Sequence, residues 1–393
     1  MSSESIRVVV TYRVCQHWRS HIFAKLNAMP NLNLSVFHGS SIPGTKYVNG
    51  EDLRGFEHRE HFTISVPGAK KWVAHPFIWW SLIRHRPDVI VSEGGSNFLT
   101  NFFVLAYAKV FRRPIVWWTL GELRGDERGG FFRGFYRRLV RFQERCSDVY
   151  LGYSAVALDY FRKMGYPAED CFIAVNCVDT NRVLANIEER KDEAMQLRSS
   201  LNLTDKKVIL FVGAFTVHKR IDRLIRAFAQ IKSDLPDAIL MIVGDGNIAE
   251  ELRELAVTEG VADRTIFTGA VIENVSDYYQ LGDVFVLPGL GGLAISEAMT
   301  HGMPVICTVA DGCEVDLIDN GTTGYRLFSD DDTKVEPFLA EKLVALLSDE
   351  QQLNEISRNA REHIETTHNV NTYIQKIVDS VEHAHQKRLS RSR

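Results

Sequence analysis

Short apolar runs recur along the first half of the chain, each closing on a turn or polar residue: IRVVVTY, LNLSVFHG, PDVIVSEGG, RPIVWWTLGE, CSDVYLGYS and DCFIAVNCVD. They do not alternate polar with apolar, which is how strands buried on both faces read, so the pattern predicts a parallel sheet. The rhythm resumes with KKVILFVGAF, AILMIVGDG, RTIFTGAV, DVFVLPG and MPVICTVADG, separated by amphipathic stretches such as RIDRLIRAFAQIKSD. Alternation of strand and helix on both sides of a polar break, TNRVLANIEERKDEAMQLRSSLNLTDKK, predicts two doubly wound α/β domains, residues 1–180 and 181–370. Residues 371–393 read as an amphipathic helix that packs back on the first domain and frays into a basic tail.

Open parallel sheets bind ligands beyond the carboxyl ends of their strands, so the residues just after each run are the candidates for chemistry. In the second half these are Gly213 and Ala214 with Lys219 after FVG, Gly244 after MIV, Gly269, Ala270 and Val271 after IFT, and the turn PGLGGLAISEAM. In that turn Gly289, Gly291 and Gly292 let a ligand approach the backbone, and the amides of Leu293 and Ala294 stand before a helix expected to begin near Ile295. Such a helix end attracts anions. Each feature has a plainer reading on its own: a solvated lysine, or an acid, Glu297, that favours the helix dipole. Gly244, Gly246 and Ala249 also match a dinucleotide fingerprint, but the next strand ends in Thr268, Gly269 and Ala270 where that fingerprint needs an acid, which argues against a dehydrogenase.

Charge separates the two halves. The chain is −4 overall with 45% hydrophobic and 24% charged residues, an ordinary globular composition. Residues 1–180 carry 23 Lys and Arg against 16 Asp and Glu, whereas the remainder is strongly acidic. The basic half holds KKWVAHPFIWWSLIRHR and FFRGFYRRLVRFQER, which interleave aromatics with cations as an anionic membrane surface favours; the alternative places the aromatics in the core. Nucleic acid is disfavoured by the acidic whole. The N-terminus shows no signal-peptide pattern, and no apolar run approaches the roughly 18 residues of a membrane span, pointing to the cytoplasm. Six scattered cysteines form neither a disulfide framework nor a zinc pattern.

FVGAFTVHKRIDRLIRAF, LMIVGDGNIAEELRELA, DRTIFTGAV, YYQLGDVFVLP, ISEAMTHGMPVI and DNGTTGYRL, in this order and spacing, resemble the nucleotide-sugar glycosyltransferases of the retaining family 4. The resemblance is close over residues 205–328; Asn176 and Asp179 resemble a family segment before the linker. It implies the GT-B fold, two Rossmann-like domains facing each other across a cleft. It further implies a UDP- or GDP-sugar donor, a glycan or lipid-linked acceptor in cell-surface polysaccharide or glycoconjugate synthesis, a retaining front-face transfer, and neither metal nor cofactor. Lys219 matches the lysine on the donor diphosphate and Glu297 the acid on the ribose. Gly269 to Val271 match the backbone at the base, and Gly292, Leu293 and Ala294 the amides at phosphate and sugar. Two positions depart from the family: an arginine is replaced by Ala214 and an acid by Gly289, which leaves a non-catalytic, nucleotide- or partner-binding relative as the alternative. In the first half, Glu93 and Asn97 after one strand, Thr119 and Glu122 after another, and Arg13, His17 and Arg19 after the first are expected to meet the acceptor, with Glu122 and Glu93 foremost as catalytic candidates.

Overall fold

The computed structural model describes residues 5–42, 45, 47–50, 52–66, 69–121 and 131–391, excepting the side chains of 69–71 and 131–133. The chain divides into two units, Met1–Val175 with Asn371–Arg393, and Asn176–Val370.

Among the described residues the first unit carries seven parallel strands: β1 (Ile6–Tyr12), β2 (Leu32–Gly39), β3 (Glu57–His61), β6 (Val89–Glu93), β7 (Ile115–Thr119), β8 (Val149–Gly152) and β9 (Cys171–Ile173). A separate antiparallel hairpin, β4 (Ile64–Val66) and β5 (Ala69–Ala74), interrupts the succession. The spatial order is β3-β2-β1-β6-β7-β8-β9. The second unit carries six parallel strands, β10 (Lys207–Val212), β11 (Ala238–Val243), β12 (Thr265–Gly269), β13 (Val284–Leu287), β14 (Val305–Cys307) and β15 (Gly324–Arg326), in the order β12-β11-β10-β13-β14-β15. In both sheets the succession runs outward from the first strand in one direction and then restarts on its other side, the doubly wound pattern.

All eleven apolar runs form strands, because helices cover both sheet faces and leave Val8, Val9, Val10, Ile209, Leu210 and Phe285 fully buried. Four further strands carried no such signal. β3 reads EHREH and sits at a sheet edge, its first four residues exposed.

The C-terminal helix, Val370–Arg391, belongs to the first unit from Asn371 onward. Its basic end does not fray as expected. Arg388 Nη1 meets Asp88 Oδ1 at 3.0 Å, Arg391 Nη1 meets Asp148 Oδ1 at 2.6 Å, and Lys387 pairs with Asp170, which also takes His383 Nε2 at 2.9 Å. These acids stand at the starts of sheet strands and need cations, which holds the last turns of the helix.

Candidate active site

Strand order in the second unit reverses between β10 and β13, so the loops leaving these neighbours lie side by side. The Leu290 N–H donates to the His218 carbonyl at 2.8 Å, locking the glycine-rich turn onto the lysine loop. The three glycines fit three different obstacles. A Cβ on Gly289 would fall 2.5 Å from His218 O and 2.7 Å from the Lys219 carbonyl carbon. One on Gly291 would fall 2.3 Å from Lys219 Nζ, and one on Gly292 2.1 Å from Asp311 Oδ2. Lys219 therefore reaches from its own loop across to the turn, placing its ammonium against bare backbone.

Gly289, the departure from the family pattern, is thus sterically required by the backbone of the lysine loop. Neither His218 O nor the Lys219 peptide can give way as a flexible side chain would. Gly289→Ala is expected to destabilise the fold by about 1–3 kcal/mol, read from the denaturant midpoint, with no gain in activity from an acid at this position.

The helix after the turn runs Leu293–Thr300, two residues earlier than expected, because its N-cap, Gly292, has no side chain to announce it. Glu297 accordingly lies one turn in, not in the first. Among the described residues the amides of Leu293 and Ala294 make no hydrogen bond, as the geometry of a helix start dictates, and they point out of the N-terminus. Glu297 is partly buried beside Tyr279, which stacks with His301 and Phe285. Burial pushes its carboxyl up to about 7, against the lowering influence of Arg182. Arg182 sits in the helix Thr180–Glu189, whose packing near Glu297 is fixed by the Val178 N–H bond to Ser296 Oγ at 3.4 Å.

A buried cation carries no signal in the sequence. Arg223 is only 2% exposed and donates to Asp330 O at 2.7 Å and to Pro288 O at 3.5 Å, besides pairing with Asp332. It anchors the residue from which the glycine turn departs. At the far side, Gly269 ends β12 with φ +76° and nothing within 4 Å of where a Cβ would lie, and Ala270 is exposed; this leaves room beside the backbone at Gly269 to Val271.

Gly244 does not offer itself to a ligand as expected. Its N–H donates to Gly269 O at 3.0 Å, and a Cβ there would lie 2.0 Å from Gly213 O. Gly246 is likewise pressed against Phe215 O. The fingerprint glycines join three neighbouring loops backbone to backbone, and Gly213 serves the same junction through its bond to Val243 O. Ala214 beside it is exposed.

In the first unit the corresponding reversal falls between β1 and β6, and it brings Arg13 and Glu93 together: the Arg13 N–H donates to Glu93 Oε2 at 2.7 Å. The Arg13 guanidinium lies 4.0 Å from the Tyr47 ring centre. His17 is exposed at the start of its helix. Arg19 and Asn97 are corrections. Arg19 is 2% exposed, caged by Trp18, Trp118, Tyr153 and Tyr373 and bonded to the Tyr373 hydroxyl, because it lies on the inward face of the helix His17–Asn27. Asn97 is fully buried beneath the turn that follows β6. Thr119 is 8% exposed and its hydroxyl accepts the Gly121 N–H, so it shapes its own turn. Glu122 lies outside the described residues.

Residues 193–363 match the family model described as glycosyl transferases group 1. The chain is 29% identical over 230 residues to the N-acetyl-alpha-D-glucosaminyl L-malate synthase of Bacillus anthracis, which is 58% of this chain and 57% of that protein. It is 30% identical over 301 residues to a sulfoquinovosyl transferase of Arabidopsis thaliana, 74% of this chain and 56% of the relative. It thus spans little more than half the length of both. Among solved structures, the Anabaena protein Alr3699/HepE in complex with UDP superposes with a TM-score of 0.73 at 17% identity, covering 96% of this chain and 99% of that one. The fold match over nearly the whole chain makes this a GT-B protein, and over residues 193–363 it is similar to the glycosyl transferases group 1 family.

Proposed function

We propose that the chain moves a sugar, with retention at the anomeric carbon and without a metal ion, from a UDP- or GDP-sugar to a hydroxyl of a glycan or lipid-linked acceptor. The placing of Lys219 Nζ against the glycine turn where the strand order reverses, with the Leu293 and Ala294 amides opening the helix that follows and Glu297 one turn along it, carries this reading. Transfer requires the bond between anomeric carbon and diphosphate oxygen to break as the acceptor oxygen bonds to the same carbon. The departing diphosphate gains charge, which Lys219 and the helix-end amides stabilise. Its freed oxygen takes the acceptor proton, so the step balances without a strong protein base. Glu297 accepts the ribose hydroxyls and the backbone from Gly269 to Val271 flanks the base. Arg13, His17 and Glu93 stand where an acceptor is met in a unit of this topology.

A membrane-borne acceptor fits the first unit's surface. Phe77 and Trp80 are 57% and 69% exposed beside Arg84 and Arg86. On the helix Phe131–Arg145, Phe135, Arg138, Phe142 and Arg145 are all exposed at spacings that share one face. We place the chain in the cytoplasm, peripheral on the inner face of the plasma membrane. Anionic vesicles should co-sediment it at low salt and release it as salt is raised; a chain that stays in the supernatant at low salt has no such attachment.

The function is tested with a panel of UDP- and GDP-sugars. A matching donor raises the thermal midpoint and is hydrolysed or transferred. Stabilisation by nucleotide with neither reaction would make the chain the non-catalytic relative that Ala214 and Gly289 suggest.

A further inference from the structure

Asp311 belongs to none of the roles above, yet it stands in the same turn. It follows β14, the strand next to β13, and its two carboxylate oxygens lie 2.1 and 2.3 Å from where a Cβ on Gly292 would be. Gly292 is the residue immediately before the helix Leu293–Thr300, and Lys219 Nζ occupies the equivalent space at Gly291. Two adjacent glycines thus carry a cation and an anion on bare backbone.

The loop that delivers Asp311 is tightly tied. Glu314, fully buried, accepts the Ala310 N–H at 3.1 Å and the Gly312 N–H at 2.7 Å, one on each oxygen. The Cys313 N–H donates to Asp311 Oδ1 at 3.2 Å, and its buried thiol has its pKa pushed up chiefly by burial, with the neighbouring Asp311 carboxylate adding to the shift. Asp311, Cys313 and Glu314 place potential ligand atoms within 4.8 Å of one another, but a thiol held protonated and a Glu314 whose two oxygens already accept amides suit a hydrogen-bonded loop better than a cation. The arrangement aims one carboxylate and does little else.

What that carboxylate faces in a loaded site follows by elimination, granted that the site takes a nucleotide sugar. A carboxylate repels phosphate and accepts hydrogen bonds only from donors. A sugar nucleotide offers hydroxyls on its ribose and its transferred sugar and N–H groups on its base; Glu297 serves the ribose, and the base is assigned to the backbone from Gly269 to Val271. We propose that Asp311 accepts hydroxyls of the transferred sugar, so that it sets donor-sugar choice in a turn where the backbone at His218 and Lys219 excludes any acid at position 289.

The test compares wild type, Asp311→Asn and Lys219→Ala for binding of UDP, UDP-glucose, GDP and GDP-mannose by calorimetry. Asn keeps the shape and replaces one acceptor oxygen by a donor. For the pair that wild type binds, Asp311→Asn is expected to weaken the sugar conjugate at least tenfold while the bare nucleotide stays within about twofold. Tighter binding of both would mean the carboxylate only repels the diphosphate, and unchanged or equal loss of both would leave it a loop-holding group; each overturns the proposal. Lys219→Ala separates the underlying reading: if it leaves both ligands of the pair unaffected, the donor site itself is misplaced, whatever Asp311 does.

Discussion

Lys219→Ala is expected to lower turnover by about 100- to 1000-fold while leaving the fold intact, the scale found when one preorganised donor to a developing oxyanion is removed. The reason is geometric. Its Nζ rests against Gly291, where no side chain can fill the space, in the turn that leads into the helix-end amides of Leu293 and Ala294. The three groups act on the leaving diphosphate, whose charge grows toward the transition state, so the loss should appear in kcat more than in KM. Lys219→Arg should recover little, since a planar fork does not fit the space at Gly291 that a single ammonium fills. A rate within threefold of wild type in both variants would remove Lys219 from the mechanism.

Glu297→Gln should have two opposite effects. Nucleotide affinity is expected to fall about 10- to 100-fold, because a carboxylate accepting two hydroxyls is replaced by a neutral amide. Stability moves the other way, and the sign follows from the titration. Burial pushes the Glu297 carboxyl up to about 7 from its ordinary 4.5. Between these values the unfolded chain gives up the proton while the folded one keeps it, so stability falls as pH rises through this window. Above pH 7 the fold carries a buried charge that Gln lacks, and Glu297→Gln should be more stable than wild type by about 2 kcal/mol at pH 8 and indistinguishable at pH 4. Urea midpoints at the two pH values decide it. Equal stability at both would mean that Glu297 is not desolvated. A ligand that donates hydroxyls to this carboxylate favours its ionised form, so binding of a sugar nucleotide at pH 7 should release protons, visible as a buffer-dependent heat.

The strands were legible because burial on both faces leaves no polar alternation to confuse the reading. β3 was hidden for the converse reason: EHREH at an edge has the composition of a loop, and only its pairing with β2 makes it a strand. The lysine loop and the glycine turn could be found from sequence, since each directly follows a strong strand. Asp311 follows a strand too, but in TVADGCEVD it resembles any turn acid, and its meaning depends on Gly292, which is distant in sequence and adjacent in space. Arg19 failed differently. A basic residue shortly after the first strand suggested an anion-facing loop, whereas the helix begins at His17 and turns position 19 into the core. Helix phase, which one residue of error turns by about 100°, is what local patterning fixes least well.

The first unit is made of both ends of the chain, and this has a bearing on how the protein comes into being. Asp170, Asp148 and Asp88 pair with Lys387, Arg391 and Arg388, which follow them by 217, 243 and 300 residues. Arg19 waits still longer for Tyr373. On a ribosome adding roughly 5–20 residues per second, those partners emerge about ten seconds to a minute after the acids do. The domain begun first is therefore completed last, after the second unit has been synthesised in full, and through that interval its unpaired acids and half-built aromatic cage are exposed to whatever else the cell offers them.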